Sequence, residues 1–306
     1  MGDAERMTLR RLAGLCLLFA FASVAWSETT PVPHVPSHRD RVTGDSSSAV
    51  KHAHISRWMP VFQGVDRLAA SAEIPRPLQI RAMRIDLQAS GIDFLVTPSN
   101  GAAPKDVGAR STSEFLAEFK CQVAINGSVF DAYAENRGDP MDVLGLSLSR
   151  GDRYSPPNRW DALLIGADHR ARIARSPVNI RNAFNGLSGY YALLVDGENR
   201  GGMADLHPRT AVGVSRDGHS LLLMTADGRQ PGYSEGLTTA ETAEWMRKLG
   251  AWNALNLDGG GSTTLVMQGL EGEPERLNHP SGPPAGVERR VANHLCVFAQ
   301  RLKPER

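Results

Sequence analysis

Polar and apolar residues in this chain alternate with a period of two more often than they cycle with a helical period, which predicts a protein built mainly from strands. Leu78-Gln79-Ile80-Arg81-Ala82-Met83-Arg84-Ile85-Asp86-Leu87 alternates throughout, and 92–97 reads as its partner strand across the turn at Ala89-Ser90-Gly91. The apolar pattern begins near Ile55, with Trp58, Met59, Val61 and Phe62. Further strands are expected at 121–125, in a meander over 145–149, 162–166 and 172–173, at 189–195, and at 291–298. Two strands joined by the Asp217-Gly218 turn read as an antiparallel hairpin starting at Arg209 and ending near Asp227. Helical spacing is confined to two places. Residues 113–120 carry Phe115, Leu116 and Phe119 on one stripe behind Ser111 or Ser113 as cap. The second helix opens at Thr238 with Glu241 three residues on, a capping box, and stops at Gly250, with Ala243, Met246 and Leu249 on one face. It feeds the strand 254–257, and 274–286 reads as a Pro/Gly-rich surface loop. The elements add up to an α+β protein: a mixed, largely antiparallel β-sheet core with a few packed helices, in a single domain over 55–306.

The N-terminus follows another pattern. Arg6, Arg10 and Arg11 precede an apolar run over 12–26 broken only by Gly14 and Ser23, with Ala25-Trp26-Ser27 before Glu28. This predicts a signal peptide over 1–27; Leu15 stands where a small residue should precede a lipidated Cys16. An uncleaved anchor is the lesser alternative. Residues 28–54, with Pro31, Pro33 and Pro36, read as a linker or disordered segment. The expected location is outside the cytoplasm, periplasmic or secreted, with no stable membrane insertion once the leader is cleaved. Cleavage leaves Cys121 and Cys296, which either pair or stay as buried thiols.

Composition adds an exclusion. With 306 residues, 41% hydrophobic, a sizeable core is within reach, while a net charge of +1 provides no global field for nucleic acid or an anionic membrane. Any anionic ligand must therefore be met by local groups. The sequence does not specify an oligomeric state.

The candidate chemistry sits at strand ends. In Asn256-Leu257-Asp258-Gly259-Gly260-Gly261-Ser262-Thr263, three successive glycines bury no side chain and cost backbone entropy, so something requires bare backbone there. A flexible hairpin tip is the alternative. At the hairpin end, Arg209 and Thr210 meet Asp227 and Arg229 by geometry. A third loop, Asn126-Gly127-Ser128-Val129-Phe130-Asp131, interrupts an apolar run, as a site or as an Asn-Gly turn.

Taken in order, A-I-N-G-x-x-F-D at 124–131, H-P-R-T-A-V-G, T-A-D-G-R, the capped helix, N-L-D-G-G-G-S-T and a closing V-A-N resemble the phosphodiester glycosidase family over roughly residues 78–300. The chain departs where the family usually reads N-G-G-F-F, having Ser128 and Val129, and where it reads E-R-P-V-A-N, having Arg290. The resemblance implies cleavage between a sugar's anomeric carbon and a phosphodiester oxygen, on a substrate like an N-acetylglucosamine 1-phosphodiester. The products would be free sugar and a phosphomonoester. A phosphate leaving group needs little protonation, so charge neutralisation matters most. The expected catalytic residues are Asp258, Arg209 and Asp227. Arg209 would grip the phosphate, joined by the amides of Gly259, Gly260 and Gly261 and the hydroxyls of Thr210 and Ser262, while Asn126, Asp131 and Asn293 would bind the sugar. Each residue also has an ordinary explanation: Arg209 could pair with Asp227, Asp258 could cap the glycine turn, and Asn293 could be a buried structural amide. No cofactor is implied, though Asp227, Asp258 and Asp131 leave a divalent cation open. A carbohydrate-binding protein without turnover, and a glycoside hydrolase acting on another linkage, are the competing functions.

Overall fold

The computed structural model describes residues 52–303. The expected signal peptide and most of the expected linker lie outside the described residues. Mostly antiparallel sheets make up the fold, with two α-helices among the described residues, Thr112–Phe119 and Thr239–Leu249. The largest sheet has nine strands, and at its centre Leu78–Asp86, Ser220–Ala226, Arg209–Val214, Asn253–Asn256 and Ala192–Val195 lie side by side. A five-stranded sheet runs Pro274–Arg276, Leu265–Gln268, Val123–Asn126, His294–Phe298, Asp93–Val96; another five-stranded sheet spans 147–188, and a small one has three strands.

Burial explains why the central strands do not alternate in sequence. Arg209–Val214 is buried at all six positions and Ser220–Ala226 at all but the first, because the nine-stranded sheet is covered on both faces. On one face Met83, Val212, Leu223 and Leu255 pack with Ile125, Leu265 and Leu295 of one five-stranded sheet and Leu163 and Leu187 of the other. On the opposite face Ala211, Met224 and Ala254 pack under Trp245 and Met246 of Thr239–Leu249. The shorter helix covers the outer face of Val123–Asn126 and its neighbours through Phe115 and Leu116.

Both helices begin with complete capping boxes, Ser111 with Glu114 and Thr238 with Glu241, and both end in left-handed residues, Lys120 and Gly250. Each cap stabilises its helix by about 1 kcal/mol. Cys121 and Cys296 form a disulfide, with Cα atoms 5.7 Å apart. It ties the segment between the shorter helix and Val123–Asn126 to the strand His294–Phe298, in which Cys296 opposes Ala124.

Three sequence expectations are corrected. Asp93–Val96 does not pair with Leu78–Asp86; it pairs with His294–Phe298, while Leu78–Asp86 lies between Val65–Ala72 and Ser220–Ala226. The expected meander is interrupted, since Asn185–Ser188 inserts between Ser147–Ser149 and Ala162–Ile165. The 274–286 segment is not wholly a surface loop: Pro274–Arg276 is a strand and Asn278 is buried.

Candidate active site

The glycine loop follows Asn253–Asn256, which pairs antiparallel with Arg209–Val214 so that Ala211 opposes Asn256. Leu257 donates its amide to the Thr210 carbonyl, carrying the ladder one residue further and setting Arg209 opposite Asp258. The chain then folds back. The Gly260 amide bonds to the Pro208 carbonyl at 2.9 Å, and the Thr263 amide to the Gly260 carbonyl, closing a short 3₁₀ turn over Gly260–Ser262. Bare backbone is needed at Gly259, where a Cβ would sit 2.7 Å from the Pro208 carbonyl oxygen, and at Gly260, which holds φ +61°, whereas a Cβ at Gly261 would meet only the end of the Arg289 side chain.

Asp258 is half-buried at this turn, and burial pushes its carboxyl up from 3.8 to about 6, against the lowering effect of the Ser262 hydroxyl, the Arg289 guanidinium and the Gly259 amide. Arg289 lies over the Tyr133 ring at 4.8 Å, with Nη1 3.4 Å from Ser262 Oγ. Burial, with the Asp258 charge next, raises the Tyr190 hydroxyl to about 12. The Tyr190 ring packs on Trp160 at 5.2 Å, and Trp160 lines a cleft of about 570 Å³ with Val143, Leu144, Pro156 and Pro157. Asp258 and Arg209 do not line that cleft.

Arg209 is only 5% exposed, yet its guanidinium bonds to neutral carbonyls alone: Nε donates to Leu237 O at 2.9 Å and Nη2 to Asp205 O at 2.7 Å. The alternative pairing with Asp227 is not formed. Burial, partly offset by Tyr191 and Asp205, lowers its pKa. Arg229, exposed, reaches His207 Nδ1 at 3.1 Å and approaches Gly260. Desolvation depresses His207, and Arg209 and Arg229 depress it further. Among the described residues none of Arg209, Arg229 and Arg289 forms an ion pair, although the protein pairs many other arginines with carboxylates. Three cations without a carboxylate at ion-pair distance thus gather around the glycine loop, an arrangement that suits an anionic ligand.

Several expected ligand-binding residues are spent inside the protein. Asn126 donates to Asp258 O at 2.7 Å and accepts from Thr210 Oγ1 at 2.9 Å and the Thr264 amide at 3.0 Å. It fixes the Asp258 backbone, and Thr210, itself buried, helps to hold it. Asn293 accepts from the Ser128 amide at 2.6 Å and donates to Ser147 Oγ at 2.9 Å, so it clamps the 127–128 loop. Asp227 is 2% exposed, and Asn278 Nδ2, the His279 amide and the Tyr233 hydroxyl occupy its carboxylate, which burial pushes up in pKa. Its geometry is that of a clamp on the 274–286 segment. Asp131 is exposed on the short strand Phe130–Asp131. The Gly260 amide, bonded to Pro208, is not free for an anion. Asp131, Asp227 and Asp258 form no metal cluster, and no group of three or more such side chains does among the described residues.

Sequence reasoning missed Arg289, Tyr190 and Tyr133 as site residues. Arg289 had a signal, since it lies in the Glu288-Arg289-Arg290-Val291-Ala292-Asn293 stretch that closes the family pattern. The tyrosines had none, because each is delivered by a different loop.

Comparison with known proteins bears on the family and the fold. The family profile described as phosphodiester glycosidase matches residues 119–298. The chain belongs to the phosphodiester glycosidase family. That match contains Asn126, Arg209, Asp227, Asp258, the glycine loop and Arg289. The mouse N-acetylglucosamine-1-phosphodiester alpha-N-acetylglucosaminidase is 40% identical over 187 residues, which is 60% of this chain and 34% of that protein. The human protein of the same name is 38% identical over 97 residues, 31% of this chain and 18% of that one. The chain thus spans about a third or less of the curated relatives it matches. The zebrafish N-acetylglucosamine-1-phosphodiester alpha-N-acetylglucosaminidase catalytic domain shares its fold, with a TM-score of 0.59, 21% identity, and coverage of 87% of this chain and 94% of that domain. So does a hypothetical protein from Synechocystis, with a TM-score of 0.61, 16% identity, and coverage of 79% and 64%.

Proposed function

We propose that this protein hydrolyses the bond between a sugar's anomeric carbon and a phosphodiester oxygen, in a substrate of the N-acetylglucosamine 1-phosphodiester class. The observation that carries the reading is the set of three unpaired arginines around the glycine loop, with Arg209 buried and lacking a carboxylate. A buried cation whose partners are only carbonyls is costly unless a ligand brings the charge, and a phosphodiester brings one. Arg209 holds the diester phosphate, with Arg289 and Arg229 on its flanks. As the anomeric C–O bond breaks, the electron pair leaves on the phosphate oxygen, whose charge the arginines already neutralise, so no strong general acid is required. Asp258, ionised above about pH 6, faces the cationic sugar ring and takes a proton from the attacking water, whose oxygen ends on the anomeric carbon. Asp227, Asn126 and Asn293 position these groups, and Tyr133 and Tyr190 supply aromatic faces for the sugar.

In this reading residues 55–306 are the catalytic domain, exported behind the leader 1–27 and the segment 28–54. The Cys121–Cys296 disulfide supports an oxidising location. The reading is tested by incubating purified protein with N-acetylglucosamine 1-phosphate esters and resolving the products. Free sugar with a phosphomonoester supports it; sugar 1-phosphate with free alcohol would assign a phosphodiesterase instead.

A further inference from the structure

Buried asparagines in this fold show what a structural carboxamide does. Asn126, Asn185, Asn278 and Asn293 each tie two or more groups from distant segments. Asn256 does not. It is 4% exposed, and its Oδ1 is buried without a partner among the described residues. Oxygen and nitrogen of a carboxamide are assigned by their bonds, so an unbonded one presents a donor or an acceptor equally well. Leaving a buried carboxamide oxygen unpaired is costly, and a local structural role would have supplied a partner.

Its place on the sheet says what it faces. Leu255 and Leu257 point into the core shared by the sheets, and Ala254 points to the opposite face, under Trp245 and Met246. Alternation puts Asn256 on that second face, at the end of its strand and two residues before Asp258. Across the ladder its partner is Ala211, a small residue, and one pleat above Ala211 is Arg209. The third side is Tyr190-Tyr191, whose backbone bonds both the amide and the carbonyl of Asn256, at 3.2 and 2.9 Å. Asn256 is therefore a polar floor beneath Arg209 and Asp258.

We propose that Asn256 is a substrate-contacting specificity residue, whose carboxamide hydrogen-bonds a hydroxyl or amide substituent of the sugar ring. The inference rests on the sugar phosphodiester reading and adds to it the group that selects the sugar. Its signature is a conflict between stability and binding, because a side chain whose buried oxygen lacks a partner in the free protein is replaceable by an apolar isostere without loss of stability.

The experiment uses the full protein with Asn256→Leu, and with Asn256→Ala as a smaller second variant should leucine fail to fold. Melting temperature is measured together with binding of free N-acetylglucosamine and its singly deoxygenated analogues by NMR titration, which needs no turnover. The expected result is a variant that melts at or above the wild type, binds the sugar about 10-fold or more weakly, and no longer penalises the one analogue that the wild type rejects. A lower melting temperature with unchanged sugar binding, or retained discrimination among the analogues, overturns the assignment. Wild-type protein that neither binds nor hydrolyses any sugar overturns the underlying reading; wild-type binding matched by the variant overturns the Asn256 role alone.

Discussion

At the residue scale, Asp258 carries the clearest conflict between folding and function. Burial favours its neutral form, so its folded pKa of about 6 stands above the ordinary 3.8. A carboxyl raised in this way favours the fold below about pH 4, and that contribution is lost as the pH rises through about 6. The rise corresponds to about 3 kcal/mol, which partial exposure screens to on the order of 1–2 kcal/mol. Asp258→Asn is therefore expected to melt above the wild type at pH 7.5, to lose that advantage at pH 4, and to lose activity at every pH. Wild-type kcat/KM should rise through about pH 6. Equal melting temperatures at both pH values would remove Asp258 from its buried site. The glycines give a second test. A Cβ at Gly259 would sit 2.7 Å from the Pro208 carbonyl, which is backbone, whereas one at Gly261 meets only the end of the Arg289 side chain, which can swing away. Gly259→Ala should lower the urea midpoint, while Gly261→Ala should leave stability within about 1 kcal/mol and cost activity by displacing Arg289.

At the scale of elements, the sequence was most legible where a local rule decides. The Asp217-Gly218 turn set the hairpin register, and the Thr238–Glu241 box set the start of the longer helix within a residue. It was least legible where partners are distant: nothing in 78–97 reveals that Leu78–Asp86 pairs with Ser220–Ala226 while Asp93–Val96 joins His294–Phe298. The same limit applied to the site. Asn126, Asp227 and Asn293 were found as polar residues at strand ends, but whether such a residue faces a ligand or clamps a loop depends on neighbours up to 165 positions away. The Cys121–Cys296 bridge has a separation of 175 residues and ties the start of the chain leading into Val123–Asn126 to the strand His294–Phe298. Cys121→Ser with Cys296→Ser should lower unfolding free energy by about 2–4 kcal/mol. Urea midpoints that match with and without a reductant for the wild type would contradict that contribution.

At the scale of the whole molecule, the nine-stranded sheet does more than fill a core. It holds Arg209 on a strand buried on both faces and sets Asp258 opposite it, two residues past the end of the adjacent strand Asn253–Asn256 and anchored by the Leu257–Thr210 backbone bond, while Arg229, Arg289 and the tyrosines come from loops. The rigid pair and the looser flanks match the division proposed here: a fixed charge and carboxylate for the reacting bond, adaptable groups for the rest of the substrate. Dependence on the phosphate's charge is the central claim. The most direct measurement compares wild type and Arg209→Ala on an N-acetylglucosamine 1-phosphodiester and on an aryl N-acetylglucosaminide that lacks the phosphate. A wild-type preference for the phosphodiester of at least 100-fold in kcat/KM, lost in Arg209→Ala, is the predicted result, consistent with about 3 kcal/mol from a buried charge-assisted contact. Equal wild-type rates on the two substrates, or a preference that survives the loss of Arg209, would contradict the account.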